Sequence, residues 1–337
     1  MVAAASVPRV PLGCYPTPCV KAPELQAVLG CGPLYVKRDD LIGYSWGGNK
    51  IRTIEFLLGE ALQQRADAVV LCGGVTSNFA ALMAAACAQH GLALHQVSYG
   101  NAPRRVPAAM SVGVRCGTTY HFTASEDRSS TEAMAETIAA RLLREGQRPY
   151  LLPRGGATPV GALGYAHAAT ELAEQLRSLG LRTATVVLPV GSGGTLAGLV
   201  VGWSQGEGAT TEIQIELVGV SVSRPAQEMS ATVHRIATAC PLRSRTPSSS
   251  MCWRIVDGRG AGFGEVDSTD RQLIHQIERE TCFLVDATYN AKALRWMRES
   301  ASGLRGNVVY WHTGGIFGVV DRLLEADAFT SPHSSIQ

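Results

Sequence analysis

Thr183-Ala-Thr-Val-Val-Leu-Pro-Val-Gly-Ser-Gly-Gly-Thr-Leu-Ala-Gly-Leu-Val-Val-Gly-Trp203 opens as an unbroken apolar run and breaks on glycines. It then resumes as an apolar stretch rich in leucine and valine. Its overall hydrophobicity resembles a membrane span, but Pro189 and the glycine cluster divide it into strand, turn and helix. The same design recurs in Ala-Asp-Ala-Val-Val-Leu-Cys-Gly-Gly from Ala66, followed by an alanine-rich helix from Phe79. It recurs again in Asn-Val-Val-Tyr-Trp-His-Thr-Gly-Gly from Asn307, followed by Ile316-Phe-Gly-Val-Val-Asp-Arg-Leu-Leu. Continuous apolar strands alternating with helices predict a parallel sheet covered on both faces, hence an α/β fold. Further strands are expected at Pro33–Arg38, Leu92–Tyr99 and Glu216–Val222, and helices at Ser130–Glu145, Pro159–Leu179 and Asp270–Arg279. Pro241–Ser250 reads as a mobile loop, and the tail after Phe329 as frayed.

A chain of 337 residues with 46% hydrophobic and 17% charged residues can bury a large core and is not disordered. A formal charge of +2, with arginines only in small groups such as Arg104–Arg105, excludes a broad nucleic-acid surface. The opening segment has no basic n-region and is cut by Pro8 and Pro11, so it is a poor signal peptide, and the expected compartment is the cytoplasm. Nine cysteines without a C-x-x-C pair are expected to be buried free thiols, and no histidine spacing suggests a metal site.

Five short segments carry chemistry. In Gly191-Ser192-Gly193-Gly194-Thr195, a strand enters and a helix leaves, so backbone N–H groups converge where a single phosphate could sit. Leu196 stands where a dinucleotide fingerprint needs its third glycine, and no Gly-Lys-Ser/Thr follows as in a nucleotide-triphosphate loop. The alternative is a tight turn needing glycine. Trp46-Gly-Gly-Asn-Lys50-Ile-Arg52 puts Lys50 in the first turn of an amphipathic helix capped by Asn49, where the helix dipole favours a neutral, nucleophilic amine. A solvated surface lysine is the alternative. In Gly73-Gly-Val-Thr-Ser77-Asn78, hydroxyl and amide groups could hold a carboxylate or could only cap a helix. Tyr289, at the end of Val285-Asp-Ala-Thr-Tyr-Asn290, offers a phenol near the end of an extended segment. Thr313, in Trp311-His-Thr-Gly-Gly315, could hydrogen-bond a ring nitrogen, with His312 as a structural neighbour.

Taken in order, these motifs resemble the tryptophan-synthase-β superfamily of pyridoxal 5′-phosphate enzymes, fold type II. They are most similar to the family of 1-aminocyclopropane-1-carboxylate (ACC) deaminase and D-cysteine desulfhydrase. The likeness runs from about Pro16 to Leu324 and includes Tyr35-Val-Lys-Arg-Asp-Asp-Leu41. The resemblance implies a larger cofactor-binding domain (1–47 and 155–337), a smaller mobile domain (48–154), a homodimer and a small amino-acid substrate. It implies Lys50 as the imine lysine and proton carrier, Ser77 as a substrate-side serine, and Asn78 beside the cofactor hydroxyl and substrate carboxylate. Gly191–Thr195 become the phosphate cradle, Tyr289 the active-site tyrosine and Thr313 the partner of the pyridine nitrogen. A neutral threonine there moderates the electron sink and favours elimination.

The sequence also departs from that family. Phe263, in Gly260-Ala-Gly-Phe-Gly264, replaces a second active-site tyrosine. Phe79 replaces a polar residue and makes the substrate side more apolar. Thr53 stands where a second lysine is common, and Asn290 where ACC deaminases carry glutamate. These departures argue against ACC deaminase activity itself. The expected reaction is α,β-elimination from a cysteine-like amino acid, giving a 2-oxo acid and ammonia. Replacement or racemisation, and a non-catalytic cofactor-binding protein, remain the alternatives.

Overall fold

A computed structural model describes residues 7–205, 210, 212–242 and 251–326. Most of the Pro241–Ser250 segment and the tail after Phe329 lie outside the described residues. The elements are β1 (Cys19–Lys21), α1 (Pro23–Leu29), β2 (Leu34–Arg38), α2 (Lys50–Gln63), β3 (Ala68–Cys72), α3 (Asn78–Gln89), β4 (Ala93–Ser98), α4 (Ala108–Arg115), β5 (Thr119–Phe122), α5 (Ser130–Arg144) and β6 (Pro149–Leu152). They continue with α6 (Pro159–Ser178), β7 (Thr183–Val190), α7 (Gly194–Ser204), β8 (Gln214–Ser221), α8 (Ala226–Thr238), β9 (Met251–Asp257), α9 (Ser268–Thr281), α10 (Asn290–Glu299), β10 (Val308–His312) and α11 (Ile316–Ala326).

The strands form two sheets, ordered β1-β2-β10-β7-β8-β9 and β5-β4-β3-β6. All neighbours are parallel except the β1–β2 pair. Parallel strands put their carboxyl ends at one rim, and three of the glycine turns singled out above leave such an end. Gly191 follows β7, Gly73 follows β3, and Thr313 follows β10. The fold is therefore the expected α/β arrangement, in which ligands bind beyond the carboxyl ends of strands. All six further elements expected from the sequence form, within two residues at each end. The extended segment expected before Tyr289 does not form; residues 283–286 are irregular and Tyr289 sits at the start of α10. All nine cysteines are free, but only Cys72, Cys87 and Cys240 are buried, which corrects the expectation that the thiols would be buried as a group.

The larger core lies between the six-stranded sheet and α6, α7 and α8, with Trp203, Trp311 and Tyr165 fully buried. Within it sits a group of buried charges. Asp39, just past β2, accepts from Arg52 Nη2 at 2.9 Å and Nε at 3.0 Å. It also accepts from Thr17 Oγ1 (2.8 Å), Tyr165 Oη (2.6 Å) and Trp311 Nε1 (2.8 Å). The same guanidinium reaches Glu171 of α6 at 2.8 and 2.9 Å, and Lys37 of β2 pairs with Glu171. Burial alone would raise the Asp39 carboxyl, but the charge and hydrogen bonds of Arg52 outweigh it and hold it below its usual range.

Removing one member of a buried pair leaves its partner charged and unmatched, which typically costs about 3–5 kcal/mol. Asp39→Ala is expected to lower the unfolding free energy by about that amount, measured by denaturant titration at pH 7. A carboxyl held low stabilises the fold above its ordinary value of 3.8 and loses that contribution as pH falls through its folded value. The gap between wild type and variant should therefore narrow in acid; an unchanged midpoint at pH 7 would show the network to be dispensable.

Candidate active site

Lys50 is the first residue of α2, as the sequence suggested, but its position is fixed differently. Asn49 does not cap the helix with its side chain. Its Nδ2 instead donates to Thr195 Oγ1 (3.1 Å), and its backbone N–H donates to the Thr313 carbonyl (3.0 Å). The residue before the lysine thus ties α2 to both the β7–α7 turn and the end of β10. The amine of Lys50 makes no hydrogen bond or ion pair with any described residue. With no carboxylate to hold its proton, burial lowers its pKa to about 8. Its place at a helix N-terminus acts in the same direction.

Lys50 faces the glycine turn closely. The backbone at Gly155 turns with φ 69°, in the left-handed region that favours glycine. A Cβ built there would lie 2.7 Å from Ser192 Oγ and 3.8 Å from Lys50 Nζ. The lysine and the turn therefore meet across a single glycine. Gly193, at φ 92°, starts α7, whose first N–H groups have no acceptor within the helix. Gly191, Ser192 and Gly194 are partly accessible, while Gly193 and Thr195 are buried beneath them. Positively directed N–H groups, a serine hydroxyl and an amine at one opening suit a phosphorylated aldehyde.

On the far side, the Thr313 hydroxyl donates to Asn290 Oδ1 (3.3 Å). Asn290 is fully buried; it donates to Asp286 and to the Gly314 carbonyl (2.7 Å) and accepts from Tyr310 Oη. Asp286 also accepts from the backbone N–H groups of Thr288, Tyr289 and Asn290 at 2.7–3.1 Å. Burial raises its pKa against the pull of those bonds. Asn290 is thus the hub that joins Thr313 to α10, a role the sequence alone did not suggest. His312 is structural, with its ring nitrogens near the Leu284 carbonyl (3.3 Å) and the Gly314 N–H (3.2 Å).

Ser77 caps α3, accepting from Ala80 N–H at 3.2 Å, which leaves its own hydroxyl proton free to donate. Asn78 begins α3, and its Oδ1 is buried without a partner, as expected of a side chain built to meet a ligand. Phe79 is packed in the core beside α2, its ring against Gly156. Tyr289 lies over the turn, its Cε1 2.8 Å from a Cβ built on Gly191, and Phe263 meets it edge-on at 5.9 Å. Burial pushes the Tyr289 phenol well up, so it stays protonated. Thr53 packs against Gly161 of α6 instead of facing the turn. Arg128, Tyr99 and Gly155 also border this region, and sequence reasoning did not single them out; the Gly155-Gly156 pair was the one visible signal. No cluster of metal-ligating side chains occurs among the described residues.

A lysine kept near neutrality, a phosphate-sized turn and an unmatched asparagine oxygen at the rim of a parallel sheet define a vitamin-B6 type of active site. A family model described as "Pyridoxal-phosphate dependent enzyme" matches residues 10–314, and the chain belongs to that family. It is 34% identical over 316 residues to a Pyrococcus abyssi protein provisionally named 1-aminocyclopropane-1-carboxylate deaminase, covering 93% of each chain. It is 32% identical over 319 residues to D-cysteine desulfhydrase of Salmonella newport, covering 91% of this chain and 94% of the relative. A crystal structure of an ACC deaminase homologue superimposes with a TM-score of 0.83 at 31% identity, covering 95% of this chain and 96% of the other. The protein is a fold type II pyridoxal-phosphate enzyme, which sets aside the non-catalytic alternative.

In cofactor-free protein, reaction of Lys50 with an amine-directed reagent, followed by mass spectrometry, should rise through a midpoint near pH 8. A midpoint at the ordinary lysine value of 10.5 would remove the basis for an activated amine.

Proposed function

We propose that the enzyme catalyses α,β-elimination on a small, cysteine-like amino acid, giving a 2-oxo acid and ammonia. The observation that carries this reading is the unpaired Lys50 amine, set across one glycine from Ser192 of the turn. In this reading Gly191, Ser192, Gly193, Gly194 and Thr195 would hold the phosphate, Asn78 would bond the cofactor hydroxyl and Thr313 would partner the ring nitrogen. Pyridoxal phosphate, when bound, supplies an electron sink for the pair left at Cα.

The chain's own groups do the rest. Lys50, about half neutral near pH 8, accepts the Cα proton. Ser77 and Asn78, at the start of α3, orient the substrate carboxylate with a hydroxyl proton and side-chain amide. Tyr289, protonated at working pH, donates to the departing β-substituent, while Phe263 closes the same wall without a polar atom. Phe79 contributes shape from behind, through Gly156. The division of strands between two sheets supports treating 48–154 as a smaller moving body against 1–47 and 155–337. A homodimer belongs to the same reading and rests on the family resemblance, and the cytoplasm, as the compartment, rests on the opening segment being a poor signal peptide. No helix among the described residues is long and apolar enough to cross a membrane.

Purified holoenzyme incubated with D- and L-cysteine in deuterated water should release sulfide, ammonia and a 2-oxo acid. Exchange of the α-proton without a 2-oxo acid would instead identify a racemase. Lys50→Ala is expected to lose the cofactor's lysine-linked visible absorbance and about 10²–10⁴-fold or more in rate; retention of both would remove Lys50 from the mechanism.

A further inference from the structure

Arg128 stands in the turn before α5 with its guanidinium over two aromatic rings. Its guanidinium lies 4.2 Å from the centroid of the Phe263 ring and 5.6 Å from that of Tyr99. Both neighbours belong to the candidate site. Phe263 meets Tyr289, which covers Gly191 of the turn. Tyr99 follows β4, and its Oη lies 3.1 Å from a Cβ built on Gly74, in the loop that carries Ser77. Arg128 therefore sits between the Ser77 loop and the Phe263–Tyr289 wall, where a substrate side chain would extend.

Its charge is unmatched. The Nε is buried with no acceptor, and no carboxylate among the described residues forms an ion pair with this side chain. Of the nearby acids, Asp127 accepts from the Ser129 N–H (2.9 Å), Glu132 pairs with Arg154 (2.9 Å), and the Glu126 carboxylate lies beside Gly100 without an ion pair to Arg128. Phe263, lacking a hydroxyl, gives the guanidinium nothing to bond. Aromatic rings hold a guanidinium by its faces, whereas its N–H donors radiate in the plane. The edge stays available, in the geometry that binds an oxyanion through two parallel hydrogen bonds.

We propose that Arg128 recognises an oxyanion on the substrate's β-substituent, making the enzyme selective for amino acids whose β-substituent is a sulfonate or a phosphate ester. This rests on the elimination reading above and names its substrate class. In the step, the Cα–H bond breaks with its proton taken by Lys50, and a Cα–Cβ double bond forms. The Cβ–S or Cβ–O bond breaks, and its electron pair leaves with sulfite or phosphate beside Arg128. One water then completes the conversion to a 2-oxo acid and ammonia.

The test compares wild-type holoenzyme with Arg128→Gln and Arg128→Lys on cysteate, O-phosphoserine and uncharged β-chloroalanine, each in both hands. The wild type should prefer one anionic substrate over β-chloroalanine in kcat/KM, and which one separates sulfonate from phosphate. Arg128→Gln should lower that preference about 10–100-fold, mainly through KM, with Arg128→Lys between the two. An unmoved preference, or equal losses on charged and uncharged substrates, would overturn the proposal while leaving elimination intact. If no amino acid yields a 2-oxo acid, the elimination reading fails on its own. Calorimetry with 3-sulfopropanoate, which lacks the amine and cannot react, then still decides the role of Arg128. A tenfold weaker Kd in Arg128→Gln supports it, and equal Kd values overturn it.

Discussion

The bidentate contact between Arg52 and Asp39 fixes the place where the chemistry can occur. Arg52 is two residues beyond Lys50 on α2, and Asp39 is one residue beyond β2 in the six-stranded sheet. Glu171 extends the contact to α6 and Trp311 extends it to β10, so one guanidinium binds the lysine-bearing helix to three other elements. Burying charge is costly, and a hydrophobic cluster of the same volume would often be as stable. What the ionic arrangement adds is direction: two forked carboxylate contacts set the rotation of α2 about its axis, and with it the direction of Lys50. A sliding apolar contact would not constrain that rotation to the same degree.

Asn49 completes the constraint from the other side of Lys50. Its amide is spent on Thr195 instead of on capping its own helix, so α2 begins without a side-chain cap while gaining a tie to the Gly191–Thr195 turn. Lys50 is therefore held by residues on both sides while its own amine stays uncommitted. Freedom of the functional group and rigidity of its backbone come from different residues, as preorganisation requires.

The parts legible in the sequence were those whose reason is local. Strand, glycine turn and helix at 183–203, 66–89 and 307–326 follow from residue type and period, because parallel strands buried on both faces must be apolar throughout. β1, β5 and β9 lie at sheet edges and are partly exposed, so they carry no such run. Lys50, Ser77 and Gly191–Thr195 stood out because glycine or capping chemistry surrounds them. Arg128 and Asn290 did not. Each acquires its environment from chain far away: Arg128 from Phe263, and Asn290 from Tyr310 and Gly314. Lys37 and Asp39 read as part of a family segment, but nothing local marked them as buried charges awaiting Arg52 and Glu171.

The Asp286–Asn290–Thr313 chain bears on the proposed elimination. A carboxylate is present, yet a neutral amide stands between it and the Thr313 hydroxyl. Three backbone N–H groups also donate to Asp286 and fix the start of α10, so the same side chain holds Tyr289 in place. Where pyridoxal phosphate binds, its ring nitrogen would meet a neutral hydroxyl backed by an amide oxygen instead of a carboxylate, which would moderate the electron sink the cofactor supplies. The same α10 start holds the Tyr289 ring over Gly191 of the glycine turn, so one buried acid ties together Thr313 and Tyr289, the two groups to which the proposed reading gives separate tasks.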